Sequence, residues 1–120
     1  MKRSIISRQR EVEVINFVFD GVSDANTFTG LDKDIVTLNT DVGAGNYIFD
    51  LGIPLQNCVV QITSETDNIE AVVDTLTAPT GGANTILEIA AVDNDGTPTP
   101  TDLKLHVTVF GSMVSDTYSA

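Results

Sequence analysis

Apolar and polar residues alternate with a period of two along almost the whole chain, which is the signature of half-buried strands. Val12 and Val14 alternate with Glu11 and Glu13. Ile15, Phe17 and Phe19 then take the other phase, so the pattern flips near Ile15-Asn16. A flip of one residue reverses the buried face. It predicts either a β-bulge at that point or a strand whose halves bury their apolar sides against different partners.

The pattern predicts further strands at regular spacing. Asp34 to Asn39 forms the second. Tyr47, Phe49 and Leu51 share one face of the third, which Pro54 ends. Cys58, Val60 and Ile62 share one face of the fourth, and Ile69, Ala71 and Val73 open the fifth. Leu87, Ile89 and Ala91 mark the sixth. In the last, Leu103, Leu105, Val107 and Val109 lie opposite Lys104, His106 and Thr108. Turn-forming runs separate them: Val22 to Lys33, Asp41 to Asn46, Thr66-Asp67-Asn68, Ala78 to Ala83 and Asp93 to Pro100. No segment holds a helical period over ten residues. About seven short strands predict an all-β chain, a single-domain antiparallel β-sandwich of jelly-roll-like type. Its expected limits are a basic, extended N-terminal arm over 1–10, the sandwich over 11–111 and a C-terminal tail over 112–120.

Composition agrees with strands. The chain has 120 residues, 42% of them hydrophobic, with no Trp. That is enough for one core without disulfides, and Cys58 has no partner for one. Lysine, the usual guard of exposed strand edges, occurs only three times. The edges are therefore expected to be covered by something.

Charge is unevenly placed. The formal net charge is −11. Residues 1–10 hold Lys2, Arg3, Arg8 and Arg10 and no acid, giving +4; the rest carries Lys33 and Lys104 against 17 carboxylates, giving −15. An acidic body repels nucleic acid and anionic membrane, so neither is an expected partner. No apolar run reaches the length of a membrane helix, and Ser4-Ile5-Ile6-Ser7 is too short for a secretory leader. The chain is expected to be made and kept in the cytoplasm until it assembles. The arm, with Ile5 and Ile6 between its basic pairs, is the candidate partner-binding segment: Lys2, Arg3, Ile5, Ile6, Arg8 and Arg10. Its expected target is an acidic protein surface.

Candidate chemistry is sparse. There is no Gly-x-Ser-x-Gly, no Cys pair, no His cluster and no phosphate-cradling loop. The chain is read as no enzyme, with no catalytic residue and no cofactor. Asp93-Asn94-Asp95-Gly96 resembles the start of a calcium loop, with Asp102 as a distant further ligand. The closing Glu of such a loop is absent, and a strand-connecting turn needs the same residues. Asp32/Asp34 and Asp20/Asp24 stand the same way. Cys58, in an apolar run, is expected to be buried and quiet. His106, on the polar phase of the last strand, is expected to face solvent or an interface. The pairs Gly43/Gly45 and Gly81-Gly82 are read as turn residues.

Three stretches carry a resemblance. Val59-Val60-Gln61-Ile62-Thr63-Ser64-Glu65-Thr66-Asp67-Asn68, Thr77-Ala78-Pro79-Thr80-Gly81-Gly82-Ala83-Asn84-Thr85 and Leu103-Lys104-Leu105-His106-Val107-Thr108-Val109-Phe110-Gly111 resemble the head decoration, or cement, proteins of tailed bacteriophages. The resemblance is one of style over 11–111, without a fixed motif to transfer residue by residue. It implies a virion structural protein on the outer capsid surface, bound to the major capsid protein at junctions between capsomers and assembled as a homo-oligomer, a trimer or dimer. Another virion part (tail, connector or fibre base) and a surface ligand-binding sandwich are the rival readings. Stoichiometry separates the first of these from cement.

Overall fold

The computed structural model describes residues 12–22, 26–66, 68–77, 80 and 82–113, with backbone alone for 40–42. The arm residues Lys2, Arg3, Ile5, Ile6, Arg8 and Arg10 lie outside the described residues, as do Asp24 and most of the tail.

The described chain is all β, in two antiparallel sheets of four strands. The strands are β1 (Val12–Asp20), β2 (Thr27–Thr29), β3 (Thr37–Gly43), β4 (Asn46–Asp50), β5 (Leu55–Ser64), β6 (Ile69–Thr77), β7 (Ile86–Asp93) and β8 (Lys104–Met113). Sheet A runs β2-β1-β8-β5, and sheet B runs β3-β4-β7-β6. First strand pairs with last, and β4 pairs with β7. Two antiparallel sheets packed over one core make a β-sandwich.

The sheets meet over one core. Ile15, Phe17, Phe19, Leu105, Val107 and Val109 face inward from sheet A; Tyr47, Phe49, Leu87, Ile89 and Ala91 face them from sheet B. Rings fill the middle. Phe19 packs edge-on against Phe49 and Tyr47, with centroids 5.0 and 4.8 Å apart. Such aromatic pairs add to area burial.

Four details differ from the sequence reading. β2 adds an eighth strand inside the expected turn region; its Phe28 lies 5.1 Å from Phe19 and 5.8 Å from Phe17. β3 starts late, because the Asp32 carbonyl accepts the N–H groups of Ile35 and Val36 and holds 32–36 as a turn. Its hairpin to β4 closes on Ala44-Gly45 alone, so Asp41 to Gly43 belongs to the strand. Last, β8 runs through Ser112 and Met113, which pair with Val12 and Leu55, past the expected limit at 111.

The phase flip near Ile15 has no bulge behind it. β1 pairs with β8 without a register shift from Val12↔Ser112 to Asp20↔Lys104. Val12 and Val14 therefore point outward, 54% and 46% exposed.

Candidate partner interface: the outer face of sheet A

The register of three strands lays the outward side chains of sheet A in rows. Val14, Phe110 and Val59 form one row across β1, β8 and β5. Their exposures are 46%, 37% and 58%, high for apolar side chains placed side by side. Val12, Ser112 and Gln56 flank this row on one side. On the other lie Asn16, Thr108 and Gln61, with the Asn16 amide donating to the Thr108 hydroxyl at 3.0 Å. None of these nine side chains is charged, in a chain with 23 charged residues besides its histidine. An apolar row framed by neutral polar groups is the pattern of a protein interface, whose centre is depleted in charge.

Charge returns at the far end of the same face. There Val18, His106 and Thr63 form a row, followed by Asp20 and Lys104. His106 Nε2 is hydrogen-bonded to Glu65 Oε2, and Lys104 Nζ stands 3.9 Å from the same oxygen. The His106 bond, then the Lys104 charge, holds the Glu65 carboxyl below the ordinary carboxylate range. His106 is exposed, as its strand phase predicts, and is engaged with Glu65.

The outer face of sheet B is different. Its outward positions include Asp50, Glu88 and Glu70, and no lysine or arginine lies on its strands. The sandwich thus has an uncharged, partly apolar patch on the outer face of sheet A, and an outer face of sheet B where acidic side chains alternate with apolar ones such as Ile48, Val72 and Ala90. Both are built by two-residue periodicity on one scaffold.

The other candidates have structural occupations. Asp93 Oδ1 accepts the N–H groups of Asp95 and Thr97, both at 2.9 Å, so this carboxylate ties its own turn. Asp102 accepts from the Tyr47 hydroxyl at 2.9 Å and from the Gly45 N–H at 3.2 Å, away from that turn. Asp32 accepts the Asn16 N–H at 2.7 Å, Asp34 pairs with Lys33 at 3.1 Å, and Asp20 accepts the Val22 N–H at 3.0 Å. Among the described residues no three His, Cys, Asp or Glu side chains converge on a metal position. Millimolar Ca²⁺ is accordingly expected to leave the melting temperature unchanged. A rise of several degrees that Asp95→Ala removes would overturn this.

Cys58 is half-buried rather than buried. It sits where β5 shifts register between Gln56 and Val59, on an edge strand. Partial burial raises its pKa, so the unreactive thiol prevails at neutral pH. His106 lies on the opposite face of sheet A, across from Thr63, and serves no thiol chemistry with it.

No family model, curated protein or solved structure matches this chain.

Proposed function

We propose that this chain is a non-enzymatic structural protein of a virion. It attaches to the outer surface of a tailed-phage capsid, as a homo-oligomer, and ties neighbouring major-capsid-protein capsomers together. The observation that carries an attachment role is the neutral row Val14–Phe110–Val59 on the outside of sheet A. Apolar side chains aligned across three strands stay in unfavourable contact with water unless a partner covers them. The capsid as that partner rests on the resemblance of 59–68, 77–85 and 103–111 to cement proteins. The acidic face of sheet B fits the side turned to solvent, since like charge keeps particles apart. Many copies around a closed shell make modest contacts add up.

The basic arm joins the fold at Val12, in the row next to the apolar one. In this reading Lys2, Arg3, Arg8 and Arg10 meet acidic protein surface, and Ile5 and Ile6 supply the apolar grip. An exposed ion pair contributes only up to about 1 kcal/mol, whereas burying an isoleucine contributes about 1.5–3 kcal/mol.

The test is titration of expanded empty heads with the purified protein. Saturation at one fixed ratio to the shell protein is expected. No binding, or a few copies per particle, sinks the cement reading; the second outcome moves the chain to the tail or connector. Deleting residues 1–10 is expected to leave melting unchanged and weaken attachment at least about tenfold, mostly through faster dissociation. Undiminished decoration by the truncated chain would reduce the arm to a tail.

A further inference from the structure

We infer that two copies of this chain join through the free edges of their β5 strands, in antiparallel fashion across a two-fold axis, so that sheet A becomes one continuous sheet. The inference rests on the homo-oligomer part of the reading above and says how the copies meet.

A sheet edge presents unpaired backbone groups that template another strand, and proteins normally blunt it. Three of the four edges here are blunted. β2 is three residues long. β3 changes register twice. β6 changes register between Val73 and Thr75 and carries Glu70 and Asp74. β5 is the exception. Its sequence, LQNCVVQITS, holds no charged residue in ten positions. After the irregularity at Gln56/Val59 it runs without interruption from Val59 to Ser64.

The register identifies which groups are free. The Glu65 N–H donates to the Lys104 carbonyl, in line with the pairing Ser64↔Leu105. Bonded pairs alternate along an antiparallel ladder. Thr63, Gln61 and Val59 therefore also bond to β8, and Val60, Ile62 and Ser64 turn their N–H and C=O groups to the open side. The Gly21 N–H bond to Leu103 gives the same parity from β1.

The occupant follows from these groups and from charge. Alternating donors and acceptors call for a strand. An uncharged edge lets a second acidic copy approach without like charges in line, which no other long edge allows. A second β5 also answers the side chains. Beside β5 lies an open groove of about 440 Å³ between the sheets, lined by Ile62, Thr63, Ser64, Ile69, Glu70 and Ala71. In a continuous sheet, Val60 and Ile62 of the second copy lie on the same inner face and close the mouth of that groove.

The experiment uses the full purified chain without capsids. Sedimentation across a concentration series is expected to give a dimer. Amide exchange at Val60, Ile62 and Ser64, whose N–H groups point away from β8, is expected to be at least about tenfold slower in the dimer than in dilute monomer. Ile62→Pro removes an outward N–H and spares the β8 ladder, so it should give a monomer. Where proline disturbs the fold, Gln61→Asp with Thr63→Asp serves instead, since both side chains are exposed and outward, and like charges then face each other across the axis. A chain monomeric at every concentration, a trimer mass, or a dimer that survives both variants overturns the proposal. Failure to decorate heads by an intact dimer sinks only the capsid reading.

Discussion

Phe110→Asp is expected to weaken attachment to capsids at least about 100-fold while shifting the melting temperature by no more than a few degrees. Phe110 stands in the middle of the apolar row, between Val14 and Val59, and is 37% exposed in the free chain. Its ring lies outside the core that Val107 and Val109 build, so folding depends on it little. The proposed attachment would depend on it much more. The contact that covers the ring is lost, and a carboxylate takes its place in a desolvated interface. Removing an unpaired charge from water costs several kcal/mol, and 100-fold corresponds to about 2.7 kcal/mol. Glu88→Gln on the outer face of sheet B is the matched control and should change attachment less than about twofold. Titrating empty heads with both variants decides the matter. If Phe110→Asp decorates normally and Glu88→Gln does not, the faces have been assigned the wrong way round.

Val14, at one end of the row that this prediction uses, left a trace in the sequence. The switch from Val12/Val14 to Ile15/Phe17/Phe19 is a change of phase, and sequence offers two causes for it. Only the unbroken register of β1 on β8 removes the bulge and leaves Val12 and Val14 outside. The same limit holds at Phe110. In the run Val107-Thr108-Val109-Phe110-Gly111 the phase puts it outward, but its neighbours Val14 and Val59 come from strands nearly a hundred and about fifty positions away. Strand order is a long-range property, and period-two patterns carry no record of it.

Local signals failed where segments were short or turn-like. Thr27-Phe28-Thr29 is too brief to show a period, yet Phe28 has three ring partners, Phe17, Phe19 and Phe49. Ile35 and Val36 look like strand residues, but the Asp32 carbonyl draws them into a turn. The lack of charge in Leu55–Ser64 was equally plain to read. That this segment forms an unpaired edge was not, because an edge is defined by the strands that are missing beside it.

Thr85→Val is expected to lower the melting temperature by roughly 10–20 °C, a larger loss than its nearly unchanged volume suggests. Thr85 is the buried polar residue of the described chain, fully shielded from solvent. Its hydroxyl donates to the Leu55 carbonyl and accepts the Leu55 N–H, both at 2.6 Å. Its backbone accepts from Leu51 N–H at 3.0 Å and donates to the Ile53 carbonyl at 3.1 Å. One residue before β7 thus fastens the crossover from β4 to β5, where the chain passes from sheet B to sheet A. Valine keeps the backbone bonds and strands both polar groups of Leu55 away from water. A buried unsatisfied group costs about 1–3 kcal/mol, so the pair costs about 2–6 kcal/mol, and a domain of this size loses about 4 °C per kcal/mol. Thr85→Ser separates the two contributions, since it keeps the hydroxyl and drops a methyl group, at about 1 kcal/mol. Calorimetry on both variants is the check. A serine variant that melts as low as the valine variant would show that the methyl, not the hydroxyl, holds this corner. With the hydroxyl as the fastening, the valine variant should also loosen the start of β5 and raise amide exchange at Leu55 more than at Val109 in the centre of sheet A.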